Sequence, residues 1–369
     1  MSHFIPVSMP IIGDEEKRAV QDVLNSGIIA QGPVVQSFEE EFADYCGTQY
    51  AVAFNSGTAA IHTALHVADI GPGDVVITTP FTFIATANPI LMQGATIQFV
   101  DISADTFNLN VDLLESSYSP NTKAIIAVDL FGQPAEYETI NTFARDRDLC
   151  VIEDACQSVG ATYRGVKTGN LADFGCFSLY ATKNMMSAEG GVLTTNDENA
   201  AKRAKSFRQH GMVGPYQYEG LGYNYRTTDI LASIALAQLH KIDDFNKLRN
   251  QNAERLIEGI GDIPGLILPS IKPERTSSFH QFTIRITAEY PHSREKFMES
   301  MHDEGIGTGI YYPKPLHHYD HIRKLGYSLG DFPIAEQLAN EVVSLPVHPS
   351  LTADDIDKIV STVRKISHV

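Results

Sequence analysis

The sequence predicts an α/β protein, with a mostly parallel sheet sandwiched by helices and a smaller C-terminal α+β domain. Three observations carry that expectation. Between residues 49 and 195, short apolar runs alternate with stretches of helical period, the rhythm of strand–helix–strand units whose strands pair in parallel. Past Gln238 the rhythm changes to a long polar helix, a loop-rich stretch GDIPGLILPS, and then isolated strands and helices. With 369 residues, 43% of them hydrophobic and 20% charged, the chain has a soluble globular composition and is too long for one ordinary core. We expect a large domain over residues 1–245, including an N-terminal arm, and a small domain over 246–369.

Taken in order, Ile5 to Ile12 reads as an extended arm. Asp14-Glu15-Glu16 opens a helix with Val20, Val23 and Leu24 on one face, and Gly27 ends it. Val34 to Tyr45 is a second amphipathic helix, and Gln49 to Asn55 the first strand of the sheet. Ser56-Gly57-Thr58 joins that strand to a helix through Ala59, Ala60, Leu65 and Val67. DVVITT, TIQFVD and KAIIAVDL then read as strands, separated by helices over Phe81 to Met92 and Val111 to Ser116 and followed by one over Tyr137 to Arg147. The next strand delivers Glu153 and Asp154 at its carboxyl end. A further run, FGCFSLY, leads into a turn carrying Lys183, then Gly190-Gly191 and the strand VLTT. Beyond the boundary come a helix from Lys241 to Ile260, the strand FHQFTIRI, and helices over Ser293 to Glu304, Ala335 to Val343 and Ala353 to Ile366.

Ligands of α/β sheets bind at the carboxyl ends of the strands, where Asp154 and Lys183 fall. A lysine amine forms a Schiff base with the aldehyde of pyridoxal phosphate. A carboxylate against the pyridine nitrogen keeps that nitrogen protonated, so the ring can withdraw electrons from a carbanion. Ser56-Gly57-Thr58 sets free backbone amides of a helix start at another strand end, an anion site by geometry, although its hydroxyls serve equally as helix caps. Phe83, in TTPFTFIATAN, is read either as core or as a face for a cofactor ring.

A formal charge of -17 argues against nucleic acid and against anionic membrane as main partners. Cys46, Cys150, Cys156 and Cys176 have no CxxC spacing and read as reduced core thiols. The N-terminal stretch MSHFIPVSMPIIGDEEK lacks a basic leader followed by a long apolar segment, and no apolar run approaches membrane-spanning length, so a cytoplasmic location is expected. His317, His318, Asp320 and His321 crowd together but lack a clear second half of a zinc set, and no metal is expected. Tyr180 and Lys183 lie three apart and no GxGxxG follows the first strand, which argues against a dehydrogenase. A non-catalytic binding or regulatory protein on the same fold remains the alternative to an enzyme.

SGTAA, TPFTFIATAN, IEDACQSVGA, FSLYATKN, EGG, GYNYRTTDILASIALAQL and YYPKPLHH…GDFPIAE…SLPVHP together resemble the DegT/DnrJ/StrS family of nucleotide-sugar aminotransferases, fold type I pyridoxal phosphate enzymes. The resemblance spans nearly the whole chain and implies that the large domain binds the cofactor. It implies Lys183 as the Schiff-base lysine, Asp154 as the ring-nitrogen partner, Gln157 beside the phenolic oxygen and Phe83 stacked on the ring. Gly57, Thr58 and Ser178 would form the phosphate cup, completed by Asn224 from the other subunit of a homodimer, with Arg226 nearby. Tyr312 and His317 would stand near the substrate entrance. The implied reaction moves an amino group from L-glutamate to a keto group of a nucleotide-linked deoxysugar. Ser187-Ala188 departs from the pattern, since relatives more often end this stretch in Gly, and Ala takes a positive φ less easily.

Overall fold

The computed structural model describes residues 4–368; the first three residues of the N-terminal stretch and the last residue of the small domain lie outside it. Its centre is a seven-stranded sheet built from β1 (Tyr50–Phe54), β2 (Val75–Thr78), β3 (Thr96–Phe99), β4 (Thr122–Val128), β5 (Cys150–Asp154), β6 (Phe174–Ser178) and β7 (Gly191–Thr195). Their spatial order is β1-β7-β6-β5-β4-β2-β3. The strands from β6 to β3 pair in parallel, while β7 runs antiparallel to both β1 and β6. The expected mostly parallel sheet is present, with one reversed strand. The connection between β6 and β7, residues 179–190, carries no helix to cross the sheet, and the chain returns alongside β6 in the opposite direction.

Helices cover both faces, so the strands read as near-continuous apolar runs: Ala124, Ile125, Ile126 and Ala127 of β4 are all fully buried. On one face α1 (Asp14–Ser26) and α2 (Pro33–Cys46) pack against α7 (Asp229–Leu239); the other elements are α3 (Gly57–Val67), α4 (Asn88–Met92), α5 (Tyr137–Arg145) and α6 (Glu198–Arg208). Glycines in the left-handed region end α1 and α2, Gly27 at φ 74° and Gly47 at φ 75°.

One predicted helix is broken. Phe81 to Met92 forms a single 3₁₀ turn over Ile84–Thr86 and then the short α4, because Pro89 has no N–H to continue a ladder from the preceding turn. Val111 to Ser116 is likewise a 3₁₀ turn that runs into one α-helical turn, Leu114–Ser117.

A long helix, α8 (Ile242–Ile260), leads from the sheet to a second core. There β8 (Leu266–Ile267), β9 (Phe282–Ile286) and β10 (Val342–Leu345) form an antiparallel sheet with α9 (Arg294–Asp303), α10 (Pro333–Glu341) and α11 (Ala353–Ser367). The predicted helix Ala335 to Val343 ends early, because the β-branched pair Val342-Val343 joins this sheet instead. The arm reaches the second core too. Ile5 is 1% exposed and bridges Ile306 in parallel.

Candidate active site

A cleft of about 410 Å³ opens at the carboxyl ends of the parallel strands. β5 delivers Asp154 to its floor, 5% exposed. Thr86 donates to Asp154 Oδ2 at 2.7 Å, and the Cys156 amide donates to Oδ1 at 3.2 Å. The Thr82 hydroxyl lies 2.9 Å from that of Thr86 and fixes its direction. With both oxygens receiving donors, the Asp154 carboxyl is fixed in orientation at the cleft floor.

Lys183 lies in the turn after β6, its amide donating to the Tyr180 carbonyl at 2.8 Å. Its side chain lines the same cleft, and its amine has no hydrogen-bond partner among the described residues. Burial lowers its pKa, against the smaller opposing pull of Cys156 and Asp154. A buried amine of lowered pKa is the state from which a lysine attacks a carbonyl.

At the third wall, Ser56 caps α3. Its hydroxyl accepts from the Ala59 amide at 3.1 Å and its carbonyl from Ala60 at 3.2 Å. The Gly57 and Thr58 amides, at the first two helical positions, therefore have no acceptor within the helix. They face the cleft with Ser178. The Ser56 cap leaves these two amides free, so capping does not exclude an anion site here. Gly191, the first residue of β7, backs this turn: a Cβ there would stand 2.3 Å from the Ser56 carbonyl oxygen and 2.6 Å from the Gly57 nitrogen. The second glycine of Glu-Gly-Gly is thus a close approach of two backbones.

Gln157 is held at both ends. The Phe131 amide donates to its Oε1 at 2.8 Å, and its Nε2 donates to the Tyr312 hydroxyl at 3.2 Å. Phe83 is 57% exposed and lines the cleft, 6.2 Å from the Tyr312 ring. The residues present fit pyridoxal phosphate: an amine, a carboxylate with engaged oxygens, two helix-start amides and an aromatic face surround one cavity.

Comparison with known proteins agrees. The sequence profile of the DegT/DnrJ/EryC1/StrS aminotransferase family matches residues 10–364. The chain belongs to this family. The spore coat polysaccharide biosynthesis protein SpsC of Bacillus subtilis is 38% identical over 99% of this chain and 97% of its own. DesV of S. venezuelae, solved in complex with a ketimine intermediate, superposes with a TM-score of 0.93 at 33% identity, covering 96% of this chain and 95% of DesV. Spr1654 of Streptococcus pneumoniae, solved in a PLP form and a PMP form, gives a TM-score of 0.93 at 30% identity, over 99% of this chain and 99% and 98% of those chains. The aminotransferase is thus a fold type I, pyridoxal-phosphate-dependent sugar aminotransferase.

Of the residues singled out in the sequence, Gly57, Thr58, Phe83, Asp154, Gln157, Ser178, Lys183 and Tyr312 line this one cleft. Asn224, Arg226 and His317 do not. Asn224 is exposed, and its carbonyl accepts from the Asn55 side chain at 3.4 Å. His317 sits buried in the turn Leu316–His318, with Nε2 2.8 Å from Glu336 Oε1. That oxygen also accepts from the Gly330 amide at 2.7 Å, so His317, His318 and Glu336, whose ligating atoms gather within 4.8 Å, form a latch on the start of α10. Asp320 and His321 stand outside that cluster.

Thr82, Thr86, Cys156, Tyr311 and His280 also line the cleft and were not anticipated. Cys156 in particular was read as a core thiol. Ala188 adopts φ 67°, so it takes the left-handed conformation that a glycine would take without strain.

Proposed function

We propose that this aminotransferase moves an amino group from L-glutamate to a keto group of a nucleotide-linked deoxysugar, and that Lys183 and Asp154 are the residues on which the chemistry turns. The observation that carries the reading is the convergence of a half-buried lysine whose amine has no hydrogen-bond partner among the described residues and a doubly held carboxylate in one cleft. Pyridoxal phosphate supplies the electron sink for charge left on the carbon that loses a proton.

The protein's part is positioning and proton transfer. The Gly57 and Thr58 amides and the Ser178 hydroxyl bind the phosphate, with the start of α3 favouring its charge. Asp154 holds the proton on the ring nitrogen, Phe83 covers the ring face, and the Gln157 Nε2 donates to the phenolic oxygen. Lys183 Nζ takes the proton from the α-carbon of glutamate and, in the second half of a ping-pong cycle, returns one to the sugar carbon. Tyr312, in the cleft wall, meets the substrate, and His317 shapes its approach through the Leu316–His318 turn.

The active unit in this reading is a homodimer in the cytoplasm, with the boundary between large and small domains near residue 245. Asn224 and Arg226 reach the phosphate site of the other subunit. Support comes from exposed apolar side chains on the large domain: Ile28 and Ile29 at 50%, Val213 at 51% and Leu221 at 73%. On α7, Ala235 and Gln238 are buried, whereas Ile230, Leu231 and Ile234 remain half-buried, as a face awaiting a second copy would be.

The test is a panel of nucleotide keto-sugars incubated with glutamate, followed by 2-oxoglutarate release and the mass of the aminosugar. Borohydride reduction and peptide mapping are expected to leave the pyridoxyl mass on Lys183. A label on Lys167, or amination of simple 2-oxo acids alone, would overturn the reading.

A further inference from the structure

His280 lies two residues before the start of β9 and lines the cleft together with Lys183, although nothing in the mechanism above uses it. Its Nδ1 lies 3.1 Å from Asn184 Oδ1. Asn184 is oriented by its own donors: its Nδ2 gives one hydrogen bond to the Ser278 carbonyl at 2.8 Å and another to Asn246 Oδ1 at 3.0 Å. A carbonyl can only accept, so the amide cannot be flipped. Asn246 is fixed in turn by the Val159 carbonyl, to which its Nδ2 donates at 2.8 Å. Asn184 Oδ1 is therefore an acceptor, His280 Nδ1 carries the ring proton, and Nε2 keeps a bare lone pair. Arg249 holds the backbone here, donating to the Phe279 and His280 carbonyls at 3.0 and 3.3 Å.

Burial keeps the imidazole neutral, and the positive charges of Lys183 and Arg249 press in the same direction. Nε2 is thus an acceptor. The other side-chain acceptors here already take protein donors, Asp154 from Thr86 and Cys156, Gln157 Oε1 from Phe131 and the Tyr312 hydroxyl from Gln157, whereas Nε2 takes none among the described residues. An amine confined in such a wall needs somewhere to place its N–H groups.

We propose that His280 is a positioning residue whose Nε2 accepts a hydrogen bond from the Lys183 amine whenever that amine is free of cofactor, parking it beside the reacting carbon. The inference rests on Lys183 being the cofactor lysine. It gives the Asn246–Asn184–His280 relay a purpose, because only this tautomer presents a lone pair to the amine. An acceptor stabilises the ammonium more than the amine, so losing it makes Lys183 easier to deprotonate.

The experiment uses cofactor-free full-length enzyme. Labelling of Lys183 by trinitrobenzenesulfonate, located by peptide mapping, is followed against pH in the wild type, His280→Leu and His280→Gln. The leucine variant is expected to label about tenfold faster on the acid side of the profile, the size of one charge-assisted hydrogen bond. The glutamine variant, which offers Oε1 as a substitute acceptor, is expected to return close to the wild-type profile. Equal profiles in wild type and leucine variant, or equal shifts in both variants, would overturn the proposal.

A second measurement leaves His280 intact. In protein labelled with ¹⁵N-histidine, the His280 Nε2 resonance should move toward that of a bare nitrogen in Lys183→Met; an unmoved resonance refutes the contact. Borohydride mapping of the loaded wild type separates the two failures. A label away from Lys183 defeats the assignment of the lysine, whereas a label on Lys183 with unshifted profiles defeats only the role of His280.

Discussion

Gly191→Ala is expected to loosen the cofactor's phosphate without touching the cofactor. The added Cβ would lie 2.3 Å from the Ser56 oxygen, 2.4 Å from the Ser56 carbonyl carbon and 2.6 Å from the Gly57 nitrogen, all backbone atoms, where ordinary contacts begin near 3.4 Å. Gly191 cannot retreat, because it is paired with Phe54 on one side and Ser178 on the other. The Ser56–Gly57 peptide must therefore shift by about 1 Å, which stretches an amide–phosphate hydrogen bond of ordinary length past the range in which it holds. A bond to a charged acceptor is worth about 1.5–3 kcal/mol, so losing one weakens binding by about 10- to 100-fold. The overpacking itself costs about 1–3 kcal/mol of stability.

The assay is a titration of apoenzyme with pyridoxamine phosphate, which binds through the cup and ring contacts without bonding to Lys183. Gly71→Ala is the control, since its Cβ would meet nothing within 4 Å. The reasoning is refuted if folded Gly191→Ala binds pyridoxamine phosphate within twofold of the wild type, because the turn would then have absorbed the methyl group without moving its amides.

Mixing inactive Lys183→Ala with inactive Asn224→Asp should restore activity in hybrid dimers, in which one site carries neither lesion; no recovery despite demonstrated subunit exchange places both residues in one chain's site. Ala188→Gly relieves a φ of 67° and should raise the urea midpoint by the equivalent of about 0.5–1 kcal/mol, the strain of a left-handed alanine less the entropy that glycine adds to the unfolded chain. Asp129 and its neighbour Glu153 are both fully buried, and burial raises the carboxyl pKa of each above the unfolded value, that of Asp129 to about 7. The folded state therefore holds a proton that the unfolded chain has lost, and this contribution to stability, present at low pH, fades as pH rises toward about 7. Asp129→Asn should flatten the decline in urea midpoint between pH 5 and pH 8, and an unchanged slope would assign that proton elsewhere.

How much of this was readable in the sequence depended on whether a feature is local. The strand ending in Asp154, the turn carrying Lys183 and the Ser-Gly-Thr helix start are each written within a few residues, and each sits where its pattern puts it. The stretch after Pro80 misled because its apolar residues mimic a helical period while Pro89 denies the backbone hydrogen bond that period requires. Val342-Val343 shows the same conflict, in which tertiary pairing with β9 overrides the end of a helical pattern. Thr86, sixty-eight positions from Asp154, and His280, ninety-six from Asn184, act only through the fold. Their one local signal was a small polar or imidazole group inside an otherwise apolar run.

The phosphate turn also shows why a catalytic edge strand needs partners outside the sheet. β1 is the last strand of its sheet, so one side of Ala53 faces no neighbour. Two buried side chains stand in for a strand: Glu39 Oε1 accepts from the Ala53 amide at 2.9 Å, and Arg208 donates to the Ala53 carbonyl at 2.6 Å and to Glu39 at 2.5 Å. A buried ion pair of this kind returns little net stability, because desolvation offsets its attraction. What it fixes is the register of the strand three residues before Ser56, and it closes an edge that would otherwise invite another chain. Two residues nearer the turn, the Asn55 amide donates to the Tyr225 carbonyl at 2.9 Å, while the Tyr225 hydroxyl meets His62 Nδ1 on α3 at 3.0 Å. The turn is therefore held from the strand before it, the helix after it and Gly191 behind it. Amides fixed in this way need little reordering when an anion arrives, so more of their hydrogen-bond energy remains as affinity.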